Sequence, residues 1–199
     1  MNSKKIRDQK VDHLLTPENA AFIAIDYQPI QVSSIKSMDQ EELVKNITKT
    51  AKLAKLFKLP TVLSTVNVKN GENEPQIKEI GEVFPDIEPV DRTTINSWED
   101  EEFYDAVKKT GRKKLIMTAL WTEACLSFPA LDALKEGYEV YVVVDAVGGT
   151  SEVAHKAALR RMEQAGAKLI SFAQLACELQ RDWNREETKE EFAKILFSK

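Results

Sequence analysis

Two cysteines, seven glycines and seven prolines are all that 199 residues hold of those types. Each scarcity excludes something. Cys125 and Cys177 are too few for a disulfide framework and have no metal-type spacing, so the chain reads as reduced, intracellular and cytoplasmic. So little Gly and Pro rules out collagen and leaves no long disordered tract. No apolar run approaches the ~18 residues of a membrane helix. The N-terminus, MNSKKIRDQKVDHLL, has basic residues without an apolar segment behind them, and reads as no secretory signal. Basic residues are not in excess: 28 Lys and Arg face 32 Asp and Glu, a net charge of −4. That balance argues against a nucleic-acid duplex as partner, because phosphate binding needs a cationic face.

What is present suits one globular domain over residues 1–199. Hydrophobic residues make up 43% and charged residues 30%, enough for a core without staples. Apolar runs and amphipathic stretches alternate as in βαβ units. AAFIAIDY, residues 20–27, is a nearly unbroken apolar run ending at Asp26. Met38 to Lys58 reads as a helix, with Leu43, Ile47, Ala51, Ala54 and Phe57 near a 3.6-residue period. Pro60 stops it before the strand TVLSTV. Residues 67–97 are irregular, with a short helix expected at Gln76–Val83. Trp98–Thr110 reads as a helix, acidic in its first turn, basic in its last, and followed by Gly111. KKLIMTALW is expected as the third strand, followed by a helix from Glu123 to Glu136. The strand YEVYVVVDAV, a helix over Ser151–Gln164, the strand KLISF and the helix AQLACELQRDW complete the pattern. A C-terminal helical extension begins at about residue 186, with Phe192, Ile195 and Leu196 on one face. At least five strands with helices between them give an α/β fold with a mainly parallel sheet covered on both sides. Ligands in such folds bind beyond the carboxyl ends of the strands.

Three candidates for chemistry stand near those ends. Asp26 closes the first strand, Arg92 lies ahead of KKLIMTALW, and Cys125 lies just after it. With Thr122 as N-cap, Cys125 falls in a first helical turn, where the helix dipole lowers a thiol pKa. Each also has a plain structural reading. Cys125 would then be a small core residue, Asp26 a loop cap and Arg92 a solvated loop cation. Cys177, mid-helix on the apolar side of AQLACELQ, reads as core.

Whole motifs say more than single residues. AAFIAIDYQ, KLFKLPTVLSTV, RTTINSWEDEEF, TGRKKLIMTALWTEACLSFPALDALKEGYEVYVVVDA and RRMEQAGAKLISFAQLACELQRDW occur in this order. In them the chain, from about Asp12 to Arg185, resembles the isochorismatase-like cysteine hydrolases, and among these the YcaC-like group. The resemblance implies a three-layer α/β/α sandwich with a six-stranded sheet. It implies a triad in which Asp26 is the proton acceptor, Cys125 the nucleophile, and Arg92 stands where most members carry Lys. It further implies a cis peptide at Leu120–Trp121 and an oxyanion hole from the backbone N–H groups of Trp121 and Cys125.

The reaction so implied is acyl transfer through a thioester, on a small amide, carbamoyl or related substrate. Arginine does not lose its proton, so Arg92 is read as a fixed charge or a substrate clamp. Tyr27, Gln28, Asn96, Trp98, Trp121 and Phe128 are the candidate pocket residues, with Trp98 and Phe128 equally readable as packing. Nicotinamidases of this superfamily hold a metal with one Asp and two closely spaced His. Here His13 and His155 lie far apart in sequence, so no metal and no cofactor are expected. The family's habit implies a homo-oligomer. Two rival readings stay open: a reactive-thiol protein answering oxidants or electrophiles, and a catalytically silent, oligomeric member of the fold.

Overall fold

β1 (Ala20–Ile25) is buried along its whole length, as an unbroken apolar strand must be when both faces of a sheet are covered. The computed structural model describes residues 7–198, so residues 1–6 of the N-terminal reading lie outside it. β1 is joined by β2 (Thr61–Val66), β3 (Val90–Arg92), β4 (Lys114–Ala119), β5 (Glu139–Val143) and β6 (Lys168–Ile170). The order across the sheet is β3-β2-β1-β4-β5-β6, and every neighbouring pair is parallel.

Alternation along the strands divides the core in two. Phe22, Ile116, Leu120, Tyr141 and Val143 face one side. Ile23, Ile25, Leu115, Met117, Val140 and Val142 face the other. The first side is covered by α2 (Gln40–Leu56), α3 (Lys78–Val83), α7 (Phe172–Gln180) and α8 (Lys189–Phe197). The second is covered by α4 (Glu101–Lys109), α5 (Ser127–Lys135) and α6 (Glu152–Gln164). A short α1 (Pro29–Ser33) lies between β1 and α2. The fold is therefore a three-layer α/β/α sandwich. α8 buries Phe192 and Ile195 against α2 and α7 of its own chain.

Local chemistry explains the boundaries. α2 starts at Asp39, whose side chain accepts the Glu42 N–H. α4 starts at Asp100 rather than Trp98, because Asp100 caps the Phe103 N–H. Trp98 lies instead in a 3₁₀ turn, Ser97–Glu99. The helix expected from Glu123 opens as a π turn, Thr122–Leu126, in which Leu126 N–H reaches Trp121 O at 3.1 Å. KKLIMTALW forms the fourth strand, because three residues of the irregular stretch add β3 to the edge of the sheet.

Cys177 corrects the sequence reading: it is exposed. The buried stripe of α7 runs through Phe172, Leu175, Ala176 and Leu179. Cys177 follows Ala176 by one residue, about 100° around the helix and off that stripe.

Strand order reverses between β1 and β4, since β2 lies on one side of β1 and β4 on the other. The carboxyl ends of these two strands mark the switch point where open α/β sheets bind ligands. Asp26 follows β1, and the Cys125 turn follows β4.

Candidate active site

Asp26 leaves β1 with a φ of +61°, a left-handed conformation that Asp tolerates better than most residues. Its N–H still bonds Ser64 O at 2.9 Å, and its side chain is fully buried. Arg92 ends β3, beside Val66 of β2. From there the guanidinium reaches past β2 to Asp26: Nη1 donates to Oδ1 at 2.9 Å and Nη2 to Oδ2 at 2.8 Å. Nη1 also donates to Thr65 O at 3.1 Å. The Arg92 side chain has no exposed surface, and only Nε lacks a partner among the described residues.

Cys125 sits in the π turn, where the Asp26 carboxylate and the Trp121 N–H both act on its thiol. The Leu120–Trp121 peptide is cis. The structure thus brings Asp26, Arg92, Cys125 and the Trp121 N–H together.

The electrostatics differ from the sequence expectation. Burial, followed by the charge and hydrogen bond of Asp26, pushes the Cys125 thiol up to about 12. Arg92 and the Trp121 N–H pull the other way without offsetting it. The helix-start argument for a lowered thiol is overturned, because desolvation and a neighbouring carboxylate outweigh a single turn of oriented amides. Burial also raises the Asp26 carboxyl above its ordinary value, against the pull of Arg92. The resting pair is a neutral thiol beside a buried carboxyl held in a guanidinium fork.

The candidate pocket residues divide. Tyr27 is buried, with its hydroxyl donating to Ala146 O at 2.6 Å. Gln28 is fully buried and ties two loops together: its amide donates to Val66 O and Glu74 O and accepts the Val66 N–H. Asn96 caps the Trp98 N–H and donates to Asp132. Trp98 bonds Glu136 and packs edge-on against Phe103, Tyr104 and Tyr138. These four have their polar atoms engaged inside the fold, so none has a free group to offer a ligand. Trp121 is 36% exposed and Phe128 half-buried, which leaves them as the accessible members. Trp121 Nε1 donates to Ser34 Oγ.

Sequence reasoning missed the residues behind the nucleophile. Thr122 Oγ1 lies 2.8 Å from His155 Nδ1, and Glu123 Oε1 accepts both the N–H and the hydroxyl of Thr150. Nothing in the helical pattern SEVAHKAALRRM links His155 to a turn 33 residues earlier. Among the described residues no group of three or more His, Cys, Asp or Glu is placed to hold a metal ion. None of the described helices is long and apolar enough to cross a membrane.

Residues 20–174 match the isochorismatase domain. The probable hydrolase YcaC of Escherichia coli (strain K12) is 39% identical over 173 residues, covering 86% of this chain and 83% of that protein. Among solved structures, YcaC from Pseudomonas aeruginosa with hexane-2,5-diol and covalent acrylamide superposes with a TM-score of 0.87 at 38% identity, over 92% of this chain and 90% of the other. The crystal structure of Escherichia coli YcaC, described as an octameric hydrolase of unknown specificity, gives a TM-score of 0.87 at 37% identity, over 94% and 92%.

Proposed function

The chain belongs to the isochorismatase family of hydrolases, and on that premise we propose that it is a cysteine hydrolase cleaving a small amide, carbamoyl or related acyl substrate. The observation that carries this reading is the contact of Asp26 with both Cys125 and Arg92.

The mechanism follows from the resting state. As Cys125 Sγ attacks the carbonyl carbon, its proton passes to Asp26, whose carboxyl burial has already raised toward proton acceptance. The Trp121 N–H, which already acts on the sulfur at rest, serves the developing oxyanion together with the Cys125 N–H. Asp26 then protonates the leaving amine, and water hydrolyses the thioester. Arg92 supplies fixed charge. Both Nη groups are engaged and its side chain is sealed from solvent, so the substrate-clamp role gives way to holding the Asp26 carboxylate.

The raised thiol weighs against the rival reactive-thiol reading, since sensors depend on a ready thiolate. Homo-oligomer formation is supported by the octameric relative and by exposed Ile30, Ile95 and Trp121 at the end of the sheet that carries the site. Two free cysteines suit a reducing compartment such as the cytoplasm.

The test is a screen of small amides, carbamoyl compounds and carboxylated ring amides with Cys125→Ser as blank. Turnover that disappears in the blank supports the reading, and turnover that persists in it overturns the reading.

A further inference from the structure

The turn that bears Cys125 is tied at its first two residues to a loop and a helix on the far side of the nucleophile. The Thr122 N–H donates to Gly148 O at 2.8 Å. The Thr122 hydroxyl meets His155 Nδ1, on the first turn of α6, at 2.8 Å. Glu123 Oε1 takes the Thr150 N–H at 2.9 Å and the Thr150 hydroxyl at 2.5 Å. Glu123 Oε2 is buried without a hydrogen-bond partner. Between the two side chains lies Gly149, where a Cβ would stand 2.6 Å from Glu123 Oε2 and 2.9 Å from His155 Cβ. The close approach therefore requires glycine.

We propose that Thr122, Glu123 and His155 are positioning residues that fix the Cys125 turn, and that protonation of His155 releases it from the 148–150 loop. The proposal rests on the reading of Cys125 as nucleophile. None of the three is hydrogen-bonded to Cys125 or Asp26, so they act through the turn. Neutral His155 shares one hydrogen bond with Thr122, and Glu123 keeps its two bonds to Thr150. An imidazolium would place a cation beside Glu123, whose second oxygen has no donor. The carboxylate would then be drawn from Thr150 toward the ring, loosening the turn from the 148–150 loop.

The charged groups that act on His155 are Glu123 from the Cys125 turn and Lys156 from its own helix. Burial, joined by Lys156, holds the imidazole below its ordinary value against the pull of Glu123. The sign follows: the neutral, clamped state is complete above the unfolded-state value near 6.5 and is lost as the pH falls through the folded value.

The chain holds two histidines, which makes the effect attributable. His13 is exposed, and its carbonyl bonds Lys114 at the opposite end of β4 from Cys125. The experiment measures iodoacetamide labelling of Cys125 by peptide mass mapping, from about pH 5 to about pH 8, as the variant-to-wild-type ratio at each pH. The ratio cancels the common rise of thiolate with pH. His155→Asn keeps a hydrogen-bonding group near the Nδ1 position but does not titrate. It is expected to stay within about twofold of wild type at the alkaline end and to exceed it progressively in acid. His155→Leu and Thr122→Val are each expected to lower the rate about tenfold, and the double variant no more than either alone. His13→Asn is expected to leave the profile unchanged.

A flat ratio for His155→Asn, or wild-type rates in His155→Leu, overturns the proposal. Should Thr122→Val not fold, His155→Asn carries the test alone, because it retains the bond. Turnover that persists in Cys125→Ser marks a different failure, that of the nucleophile reading itself.

Discussion

Arg92 and Asp26 meet as a two-pronged ion pair, 2.9 and 2.8 Å across the fork, with neither side chain reaching solvent. Their carrier strands, β3 and β1, are separated by β2. The contact thus pins the edge of the sheet to the switch point as well as fixing the carboxylate.

Removing one partner of such a pair leaves a buried charge uncompensated. Arg92→Ala is expected to lower stability by about 3–5 kcal/mol and to abolish turnover. Arg92→Lys, a point charge without the fork, should lose less of both. Urea denaturation and turnover of the same preparations check this. An Arg92→Ala protein of wild-type stability would contradict it.

Asp26→Asn separates proton transfer from thiol reactivity. After burial, the charge of Asp26 is the next influence holding the thiol up at about 12. Without that charge, and with Arg92 left beside it, the thiol pKa falls and more thiolate is present at any given pH. Hydrolysis should disappear while iodoacetamide labelling of Cys125 becomes faster. The pH dependence of labelling, followed by mass, decides; slower labelling in Asp26→Asn would be the adverse result.

The two cysteines should separate under limited alkylation. Cys177 is exposed, whereas Cys125 is only partly accessible and its thiol is pushed up to about 12. Peptide mapping at mildly alkaline pH should find Cys177 modified first, and Cys177→Ser should keep full activity. Earlier modification of Cys125 would mean a thiolate is already present at rest.

What the sequence made legible follows a physical rule. Elements that bury a regular stripe announce themselves: β1 as an unbroken apolar run and α2 by its period. Asp26, Arg92 and Cys125 were legible through motifs, but the fork between Asp26 and Arg92 was not, because pairing across an intervening strand leaves no local pattern. β3 is three residues long and partly exposed, too short for any period to show. The raised thiol was hidden for a similar reason, since desolvation is a property of the packed site and not of the turn. Trp98 stayed open between pocket and packing because aromatic type alone cannot tell a ligand wall from the edge-on cluster it joins.

Two glycines should respond oppositely to alanine. At Gly149 a Cβ would collide with Glu123 and His155, so Gly149→Ala should cost about 1–3 kcal/mol and disturb the Cys125 turn. At Gly81, within α3, the nearest atom to a Cβ is 3.8 Å away. Gly81→Ala should therefore stabilise by about 0.5–1 kcal/mol. Thermal denaturation of both variants tests the contrast, and a neutral Gly149→Ala would show that the 148–150 loop yields freely.

The most direct test is to trap the acyl-enzyme. An amide that the protein turns over is mixed with it, quenched in acid within the first turnovers, and the intact mass and peptide map are read. The expected result is the mass of the acyl group on the peptide containing Cys125, absent in Cys125→Ser and accompanied by loss of turnover there. Turnover at the wild-type rate in Cys125→Ser, with no adduct on the wild-type peptide, would contradict the account.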